Sequence, residues 1–424
     1  MDAIVFSNVS IIDGSGAKPF PGEVRVQGNR IVALARDGAA VPRDNARHVD
    51  AGGATLMPGM VEAHAHVSFA NTPDLHSLGD IPPEEHTLLA AENARIYLDR
   101  GFTSLNSMAA AKPRLDVVIR NAIEAGQIPG PRMLAATPEM TPTAGLGDVR
   151  LYHRHRETFA VICDGAEEFR KTARAFVREG VDTLKINPSG DEFVPHARAE
   201  QTVMTEAEID AVCEVGRAHG KRIAAHARSS NAVELCVKHG VQLINHATFA
   251  DEKARDALEA AKERVFVMPT IGTTYSTLFE AQKWGITTEA ATSMGMRREM
   301  EQGALAMRDL KRRGVRVLPG GDYGFAWNRI GDDARDLEHF VNLFGFTPME
   351  AIIAATRWGG EIMMKPGELG LIKQGAFADL LLVNGDPSSD IKVLQDPGRL
   401  LAIMKDGRFH KQPAARSQAA KSAA

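Results

Sequence analysis

Two histidines separated by one residue, His64 and His66, could carry metal chemistry. They close the largely apolar stretch Leu56-Met-Pro-Gly-Met-Val-Glu-Ala-His-Ala-His. If this stretch is a β-strand, side chains alternate between its faces, so both imidazoles point the same way. Imidazole is a common ligand of zinc and related metals, and such a pair can hold an ion. Two histidines without a metal-binding role on a half-exposed strand would have the same spacing. Whether the pair belongs to a metal site therefore depends on further ligands from other strands.

Further polar residues stand at the ends of apolar, strand-like segments. Lys185 follows Val181-Asp-Thr-Leu, His226 ends Arg222-Ile-Ala-Ala-His, His246 ends Gln242-Leu-Ile-Asn-His, and Asp322 follows Val317-Leu-Pro-Gly-Gly. Each has a structural alternative when taken alone: a hydrogen-bonded histidine, a solvated lysine, or an aspartate that caps a turn. Their shared position at strand ends favours a common role.

The elements that must position these residues alternate between short strands and helices. Strands are predicted at 56–67, 103–108, 132–136, 183–187, 222–227, 242–247, 265–270 and 315–320. Intervening helices are predicted, for example, at 166–179, 206–219, 231–239 and 253–262, several of them ended by glycine. Eight strands each followed by a helix predict an α/β fold, a (β/α)₈ TIM-like barrel. A doubly wound open sheet is the alternative, but no glycine-rich phosphate loop follows the first strand.

The barrel brings the polar strand ends together, because chemistry in this fold occupies the carboxyl ends of the strands. Six residues from strands one, four, five, six and eight then converge, which predicts one metal site. Its predicted members are His64, His66, Lys185, His226, His246 and Asp322.

Lys185 indicates the kind of metal site. Its ammonium, flanked by Leu184 and Ile186, would be costly to bury and would repel a nearby cation. A desolvated lysine has a lowered pKa and becomes a neutral nucleophile. Reaction with carbon dioxide would give an N-carboxylate whose two oxygens could bridge two metals roughly 3.5–4 Å apart. We therefore expect two divalent metal ions, zinc first among them, although these ligands also suit manganese, cobalt and iron.

Both ends of the chain are rich in short strands and turns. Residues 1–55 and 365–412 are each too small to bury a core, so we expect them to pair into one composite β-sandwich domain. Residues 56–364 then form the barrel domain. The final segment, 413–424, is low in apolar bulk and is predicted to be disordered.

The bulk composition excludes several classes of function. The chain has 424 residues, 44% hydrophobic and 25% charged, with a net charge of -4, so nothing favours nucleic-acid or anionic-membrane binding. The three cysteines form neither a metal-type spacing nor a disulfide framework. The first residues lack a signal-peptide pattern, which together with the cysteines predicts a cytoplasmic location.

Loops after the strands must supply substrate specificity. The longest, 137–164, carries Tyr152-His153-Arg154-His155, where His153 could contact a substrate carbonyl or carboxylate. Arg228, two residues beyond His226, could bind a carboxylate bidentately through two of its guanidinium nitrogens. Tyr323 and Trp327 follow Asp322 and could form an aromatic wall. The structural alternatives are a solvated loop, a salt bridge at the barrel rim and aromatic side chains that only anchor their loop.

In these residues, the chain resembles the amidohydrolase superfamily over nearly its whole length. The resemblance rests on the first-strand stretch from Leu56 to His66, on the polar strand ends, and on Gly370-Leu-Ile-Lys-Gln-Gly-Ala-Phe-Ala-Asp-Leu. It implies that His64, His66 and Asp322 bind one metal, that His226 and His246 bind the other, and that carboxylated Lys185 bridges them. Glu62 departs from the pattern, since relatives commonly carry Asp there.

Within the superfamily, the chain is similar to the imidazolonepropionase-related branch, which includes Xaa-Pro dipeptidases and ochratoxin-degrading amidohydrolases. This implies carboxypeptidase-like cleavage of a small-molecule amide, such as the bond joining phenylalanine to the chlorinated isocoumarin acid of ochratoxin A. Asp322 would act as the catalytic proton carrier. Relatives form homo-oligomers, often octamers, and we expect the same here. The alternatives are a lactonase or phosphotriesterase with the same two-metal site, hydrolysis of a cyclic amide, a deaminase, and a non-enzymatic scaffold.

Overall fold

A computed structural model of the chain describes residues 3–153 and 157–414. Its strands in these ranges are β1 Ala3–Ile11, β2 Phe20–Gln27, β3 Arg30–Arg36, β4 Ala46–Asp50, β5 Thr55–Pro58, β6 Met60–Ala65, β7 Phe102–Ser107, β8 Arg132–Leu134, β9 Glu139–Thr141, β10 Ala160–Ile162, β11 Thr183–Ile186, β12 Arg222–Ala227, β13 Leu243–His246, β14 Phe266–Met268, β15 Leu380–Val383, β16 Leu400–Lys405 and β17 Arg408–Lys411.

The helices in the same ranges are α1 Pro83–Asp99, α2 Leu115–Glu124, α3 Ala166–Glu179, α4 Glu206–His219, α5 Ser230–His239, α6 Glu252–Ala260, α7 Ile271–Phe279, α8 Thr288–Met294, α9 Met296–Arg312, α10 Arg335–Phe344, α11 Pro348–Ala355 and α12 Arg357–Ile362. Short 3₁₀ turns lie at Leu75–Leu78, Ala281–Trp284 and Ile391–Gln395. None of the described helices combines the length and apolar composition needed to cross a membrane.

Helix boundaries follow local sequence signals. The α4 helix starts with a capping box, in which the Thr205 and Glu208 side chains each accept a hydrogen bond from the other residue's main chain. It ends at Gly220, whose left-handed backbone (φ 62°) suits a residue without Cβ. The predicted bounds of α3 and α4 agree with the structure, and those of α5 and α6 agree within two residues.

The strands of the central region run parallel. One sheet of six has the order β10-β9-β11-β12-β13-β14, and a sheet of three has the order β6-β7-β8. A parallel bridge between Ala136 and Thr183 joins the two sheets. The segment predicted as the eighth strand, 315–320, is not a strand; Val317 makes only an isolated bridge to Val267. These pairings and the intervening helices are consistent with a TIM-barrel-like fold.

The two chain ends meet in a mixed sheet of eight strands. Its order is β17-β16-β15-β5-β1-β2-β3, with β4 also paired to β1. Its apolar cluster combines both ends, for example Val24, Leu56 and Leu382. The pairings describe one sheet, so the sandwich and the division into two domains stay predictions. Of the predicted disordered tail, residues 415–424 lie outside the described part of the chain.

The first-strand stretch differs from its prediction as a single strand. Gly59 separates β5, which pairs with β15 in the mixed sheet, from β6, which pairs with β7. A Cβ at Gly59 would lie 2.1 Å from the hydroxyl of Thr103, so only glycine fits at this junction. The stretch that carries the two histidines therefore also joins the two sheets.

Candidate metal centre and its cavity

His64, His66 and Asp322 form a compact cluster of potential metal ligands. The Nε2 atoms of the two histidines are 3.1 Å apart, and Oδ1 of Asp322 lies 3.5 Å from Nε2 of His64 and 3.1 Å from that of His66. One ligand atom from each residue lies within 4.8 Å of the others. The main-chain oxygen of Ala109 is 3.1 Å from Nδ1 of His66, so it orients this ring with Nε2 towards the cluster. Three ligands at this spacing suit a divalent ion of the zinc type.

His226 and His246 lie beside this cluster. Their ring centroids are 4.1 Å apart, and the centroid of His246 is 5.8 Å from that of His64. The hydroxyl of Thr270 is 2.5 Å from Nδ1 of His246, whereas its Nε2 is buried without a hydrogen-bond partner among the described residues. A buried imidazole nitrogen without a partner is costly unless something else binds it. His246 therefore fits a metal ligand.

Burial sets the protonation of the histidines. It lowers the pKa of His64 to about 4 and that of His226 to about 3, and it also holds the pKa of His246 well below its usual value. Burial alone would raise the pKa of Asp322, but the neighbouring His64 and His66 hold it well below its usual value. His64, His226 and His246 are thus neutral imidazoles and Asp322 is an ionised carboxylate, the forms that bind metals.

Lys185 is buried at the end of β11, with 1% of its surface exposed. Its main-chain N–H donates to Thr137, but Nζ makes no hydrogen bond or ion pair with a described residue. Burial lowers the pKa of this lysine, although Glu139 and Asp322 act in the opposite direction. A buried amine without a partner and with a lowered pKa fits the chemistry of carbamate formation.

The loop that carries Asp322 is held in an unusual conformation. Asp322 has a left-handed backbone (φ 57°), as do His246 (φ 75°) and Thr270 (φ 55°) at neighbouring strand ends. Such conformations cost about 1–3 kcal/mol each and persist only where surrounding contacts enforce them. At Asp322, its main-chain oxygen accepts hydrogen bonds from the side chains of Thr273 and Asn328, at 2.6 and 3.1 Å.

The candidate metal ligands line a cavity of about 290 Å³. Aromatic rings form much of its wall; they belong to Phe69, Phe159, Phe193, Phe325 and Trp327. Phe69 stacks on His66 with centroids 4.0 Å apart, and Phe325 lies between Phe193 and Trp327 at 5.8 and 5.6 Å. The cavity therefore offers two aromatic surfaces to a flat or apolar substrate group.

The structure brings two of the four predicted substrate residues to this cavity. Arg228 and Trp327 line it, and the indole N–H of Trp327 donates to Thr277 at 2.9 Å. Tyr323 is buried elsewhere, with its hydroxyl donating to Asp336 at 3.3 Å. His153 is exposed and is not among the lining residues, and the neighbouring His155 lies outside the described chain.

Three acidic residues near the site were not predicted from the sequence. Glu139 lines the cavity and accepts a hydrogen bond from Asn187 at 2.9 Å, while burial raises its pKa against the influence of Lys185. Asp191 and Glu299 both form ion pairs with Arg228. Glu139 lies just beyond the third predicted strand, and this position could have identified it as a site residue. Glu299 lies on a helix, where no sequence feature indicates that it is close to the site.

Comparison with known proteins gives the family. The sequence profile of the amidohydrolase family matches residues 55–409. Ochratoxinase from Aspergillus niger is 24% identical over 433 aligned positions, which cover 95% of this chain and 85% of the relative. An imidazolonepropionase from Nocardia farcinica is 24% identical over 384 positions, which cover 87% and 86% of the two chains.

A similar solved structure is that of a prolidase complexed with N-methylphosphonate-L-proline. It has a TM-score of 0.86 and 26% sequence identity, with 97% of this chain and all of the other covered. The crystal structure of the Aspergillus ochratoxinase shares the fold, with a TM-score of 0.82, 21% identity and 97% of each chain covered. The profile match spans most of the chain and includes each candidate metal ligand, so the protein belongs to the amidohydrolase family.

Proposed function

We propose that the chain is a two-metal hydrolase that cleaves the amide bond of an N-acyl amino acid or dipeptide-like substrate with a free carboxylate. The observation that carries the proposal is the convergence of six potential ligands, five of them buried and Asp322 partly exposed, on one cavity that also contains an arginine. Ochratoxin A, cleaved to ochratoxin alpha and phenylalanine, belongs to this substrate class, and the similarity to ochratoxinase supports it. The prolidase neighbour supports dipeptides.

The donor set supports assignment of the ligands. His64, His66 and Asp322 would hold one ion, and His226 and His246 the other, with N-carboxylated Lys185 between them. Zinc is the first expectation because neutral imidazoles and carboxylates are its usual ligands. When bound, such ions make a water nucleophilic near neutral pH and polarise the scissile carbonyl.

Within this chain, Asp322 would carry the proton. Its low pKa leaves it ionised, so it can accept a proton from the attacking water. The protonated carboxyl can then donate to the nitrogen of the breaking amide bond. The contacts of Thr273 and Asn328 to the Asp322 main chain would keep this carboxylate aimed at the reacting atoms.

Arg228 would recognise the substrate carboxylate. Its Nε and Nη1 are fixed by Asp191, Thr248 and Glu299, and within the described chain Nη2 has no hydrogen-bond partner. Since Nε and Nη1 are occupied, we expect one hydrogen bond to the carboxylate rather than the two-nitrogen contact suggested by the sequence. The aromatic walls would hold the apolar groups of the substrate.

The proposal extends to the architecture and assembly. Seven strands of the two parallel sheets (β6, β7, β8 and β11 to β14) would close into one eight-membered barrel with the segment 315–320, and the mixed sheet would form a separate composite domain. A main-chain hydrogen bond of 3.3 Å from Ala63 to Pro319 supports closure, because it links β6 to the segment after β14. The homo-oligomer, octameric in many relatives, and the cytoplasmic location remain predictions.

The test is a comparison of matched substrates on the metal-replete protein. We expect N-acetyl-L-phenylalanine to be hydrolysed at least tenfold more efficiently than N-acetyl-L-phenylalaninamide at its acetyl bond, because only the former has a carboxylate for Arg228. The substitution Arg228→Gln should remove most of this preference. Equal hydrolysis of both compounds would contradict carboxylate recognition.

Hydrolysis of a cyclic amide is the second candidate. The similarity to an imidazolonepropionase favours it, because that relative aligns over 87% of this chain. Activity on 4-imidazolone-5-propionate, in the absence of activity on linear N-acyl amino acids, would support this candidate over the first.

A further inference from the structure

Arg228 is buried between two carboxylates. With 3% of its surface exposed, it donates from Nε to Asp191 at 2.8 Å and from Nη1 to Glu299 at 2.5 Å. One positive charge is therefore shared by two acidic groups, which are themselves 5% and 2% exposed. If both were ionised, the cluster would carry a net charge of -1 before any substrate arrived.

This charge balance opposes the binding of an anion. Charges interact strongly in a buried, poorly solvated site, so a substrate carboxylate would meet the excess negative charge there. Neutralising one of its two partners would restore the attraction of Arg228 for a carboxylate. The surroundings of Asp191 and Glu299 indicate which one.

Asp191 stays ionised. Its carboxylate accepts a charge-assisted hydrogen bond from Nε of Arg228 at 2.8 Å, which favours the ionised form. Its carboxylate also accepts a main-chain hydrogen bond from Phe193 at 3.1 Å. Asp191 is thus the lasting anionic partner of Arg228.

Glu299 on α9 has the opposite environment. Its Oε1 accepts from Arg228 and from the hydroxyl of Thr274 at 2.6 Å, but Oε2 is buried with no partner in the described chain. Leaving one oxygen of a buried carboxylate without a donor favours the neutral acid. The charged groups that face Glu299 are Arg228, which follows β12, and Asp191 and Glu192, which follow β11. Burial, together with the negative charges of Asp191 and Glu192, raises the pKa of Glu299 to about 7, although Arg228 acts in the opposite direction.

We propose that Glu299 determines specificity by taking up a proton when an anionic substrate group binds Arg228, so that the site recognises a carboxylate together with a proton. This inference rests on the proposed role of Arg228. It adds to that role a residue on a distant helix and a predicted dependence on pH. Neutral Glu299 leaves Arg228 paired with Asp191 alone, and the arriving carboxylate then gains a net attraction.

The sign of the pH dependence follows from the raised pKa. Below about pH 7, Glu299 is already neutral and carboxylates bind without proton uptake. Above it, binding must first protonate Glu299, so affinity falls as the pH rises. Between about pH 6 and pH 8 the affinity for a carboxylate should fall roughly tenfold relative to an uncharged analogue.

Isothermal titration calorimetry of the metal-replete protein tests this with 3-phenylpropanoate, which has no bond to hydrolyse, and with 3-phenyl-1-propanol as the uncharged analogue. Titrations in two buffers of different ionisation enthalpy give the number of protons taken up. At about pH 8, we expect close to one proton to be taken up per 3-phenylpropanoate bound and none for the alcohol.

In Glu299→Gln, which keeps an oxygen for Arg228 and Thr274, proton uptake and the tenfold pH effect should both disappear. Glu301→Gln, an exposed change on the same helix, should behave as wild type.

Two results would overturn the inference in different ways. If wild-type protein takes up no proton while Arg228→Gln loses its preference for 3-phenylpropanoate, Arg228 binds the carboxylate but Glu299 does not respond. If Arg228→Gln keeps the full preference for 3-phenylpropanoate, the carboxylate binds elsewhere, and the proposed role of Arg228 fails together with this inference. The wild-type titration needs no variant, so a misfolded substitution does not prevent the test.

Discussion

The side-chain amide of Asn328 donates a hydrogen bond to the main-chain oxygen of Asp322 at 3.1 Å, and the same nitrogen lies 2.9 Å from the main-chain oxygen of Gly321. These contacts hold the left-handed turn that directs the Asp322 carboxylate to His64 and His66. The loop that carries Asp322 is therefore positioned by Asn328, which lies six residues further along the chain.

Asn328→Asp should remove the donor with almost no change in size. Because two main-chain carbonyl groups each lose one of their hydrogen-bond donors, we expect Asp322 to shift and kcat to fall by roughly 10–100-fold, with KM little changed. Steady-state kinetics on an N-acyl amino acid measures this. The exposed Asn342→Asp serves as control, and a folded Asn328→Asp protein with wild-type kcat would show that the contact does not position Asp322.

Asp322→Asn should remove the proton carrier. A neutral amide cannot accept the proton of the attacking water, so turnover should fall about a thousandfold or more. Some metal should remain, because the four histidines and Lys185 are unchanged. Turnover and metal content by elemental analysis test this together, with the exposed Asp332→Asn as control. Wild-type-like turnover would refute the proposed role.

Lys185 should be carboxylated in the metal-replete protein. Native mass spectrometry should show one added carbon dioxide per chain, and ¹³C-labelled bicarbonate should give a carbamate signal in NMR spectra. Lys185→Ala should lose both metal content and activity, whereas Lys253→Ala, whose side chain is 80% exposed, should retain them. Full metal content and activity in Lys185→Ala would exclude a bridging carbamate.

Buried His226 should make the metal-free protein sensitive to acid. Its pKa is about 3 when folded, mainly because of burial, and near 6.5 when unfolded, so the unfolded chain binds more protons between these values. Above about pH 6.5, burial of neutral His226 does not reduce the free energy of unfolding. Below it, the free energy of unfolding falls as the pH falls. Between pH 7 and pH 5 the loss should be about 2 kcal/mol.

The effect must be measured as a difference between variants, because buried acids such as Asp336, with its pKa raised to about 7 by burial, titrate with the opposite sign. Denaturant unfolding with chelator present should show a shallower pH slope for His226→Gln than for wild type. The exposed His48→Gln should keep the wild-type slope. Parallel curves for His226→Gln and wild type would contradict the prediction.

Local sequence patterns predicted much of the fold, because the periodicity and the ends of helices depend on interactions between residues close in the sequence. The apolar period and the glycine ends placed α3 and α4 at their observed bounds. The sequence of the first-strand stretch predicts one strand because both halves are apolar. The break at Gly59 depends on the packing of Thr103, which is 44 residues away and invisible to a local pattern.

The candidate ligands could be predicted because parallel strands place their ends at one edge. Contacts between segments that are distant in the sequence could not be predicted. The partner of Arg228 on α9 is 71 residues further along the chain, and no periodicity marks it. Tyr323 was predicted at the cavity through its adjacency to Asp322, but its buried hydroxyl instead contacts Asp336. Neighbours in sequence need not share a surface when the backbone turns between them.

The most direct test of the central claim is a panel of hydrolysable compounds presented to the metal-replete protein. The panel contains N-acyl amino acids including ochratoxin A, Xaa-Pro dipeptides, lactones and a phosphotriester, with initial rates measured for each. We predict that linear amides with a free carboxylate are hydrolysed with the highest kcat/KM, and that this activity is lost on removal of the metals. Hydrolysis confined to the lactones and the phosphotriester would contradict the account.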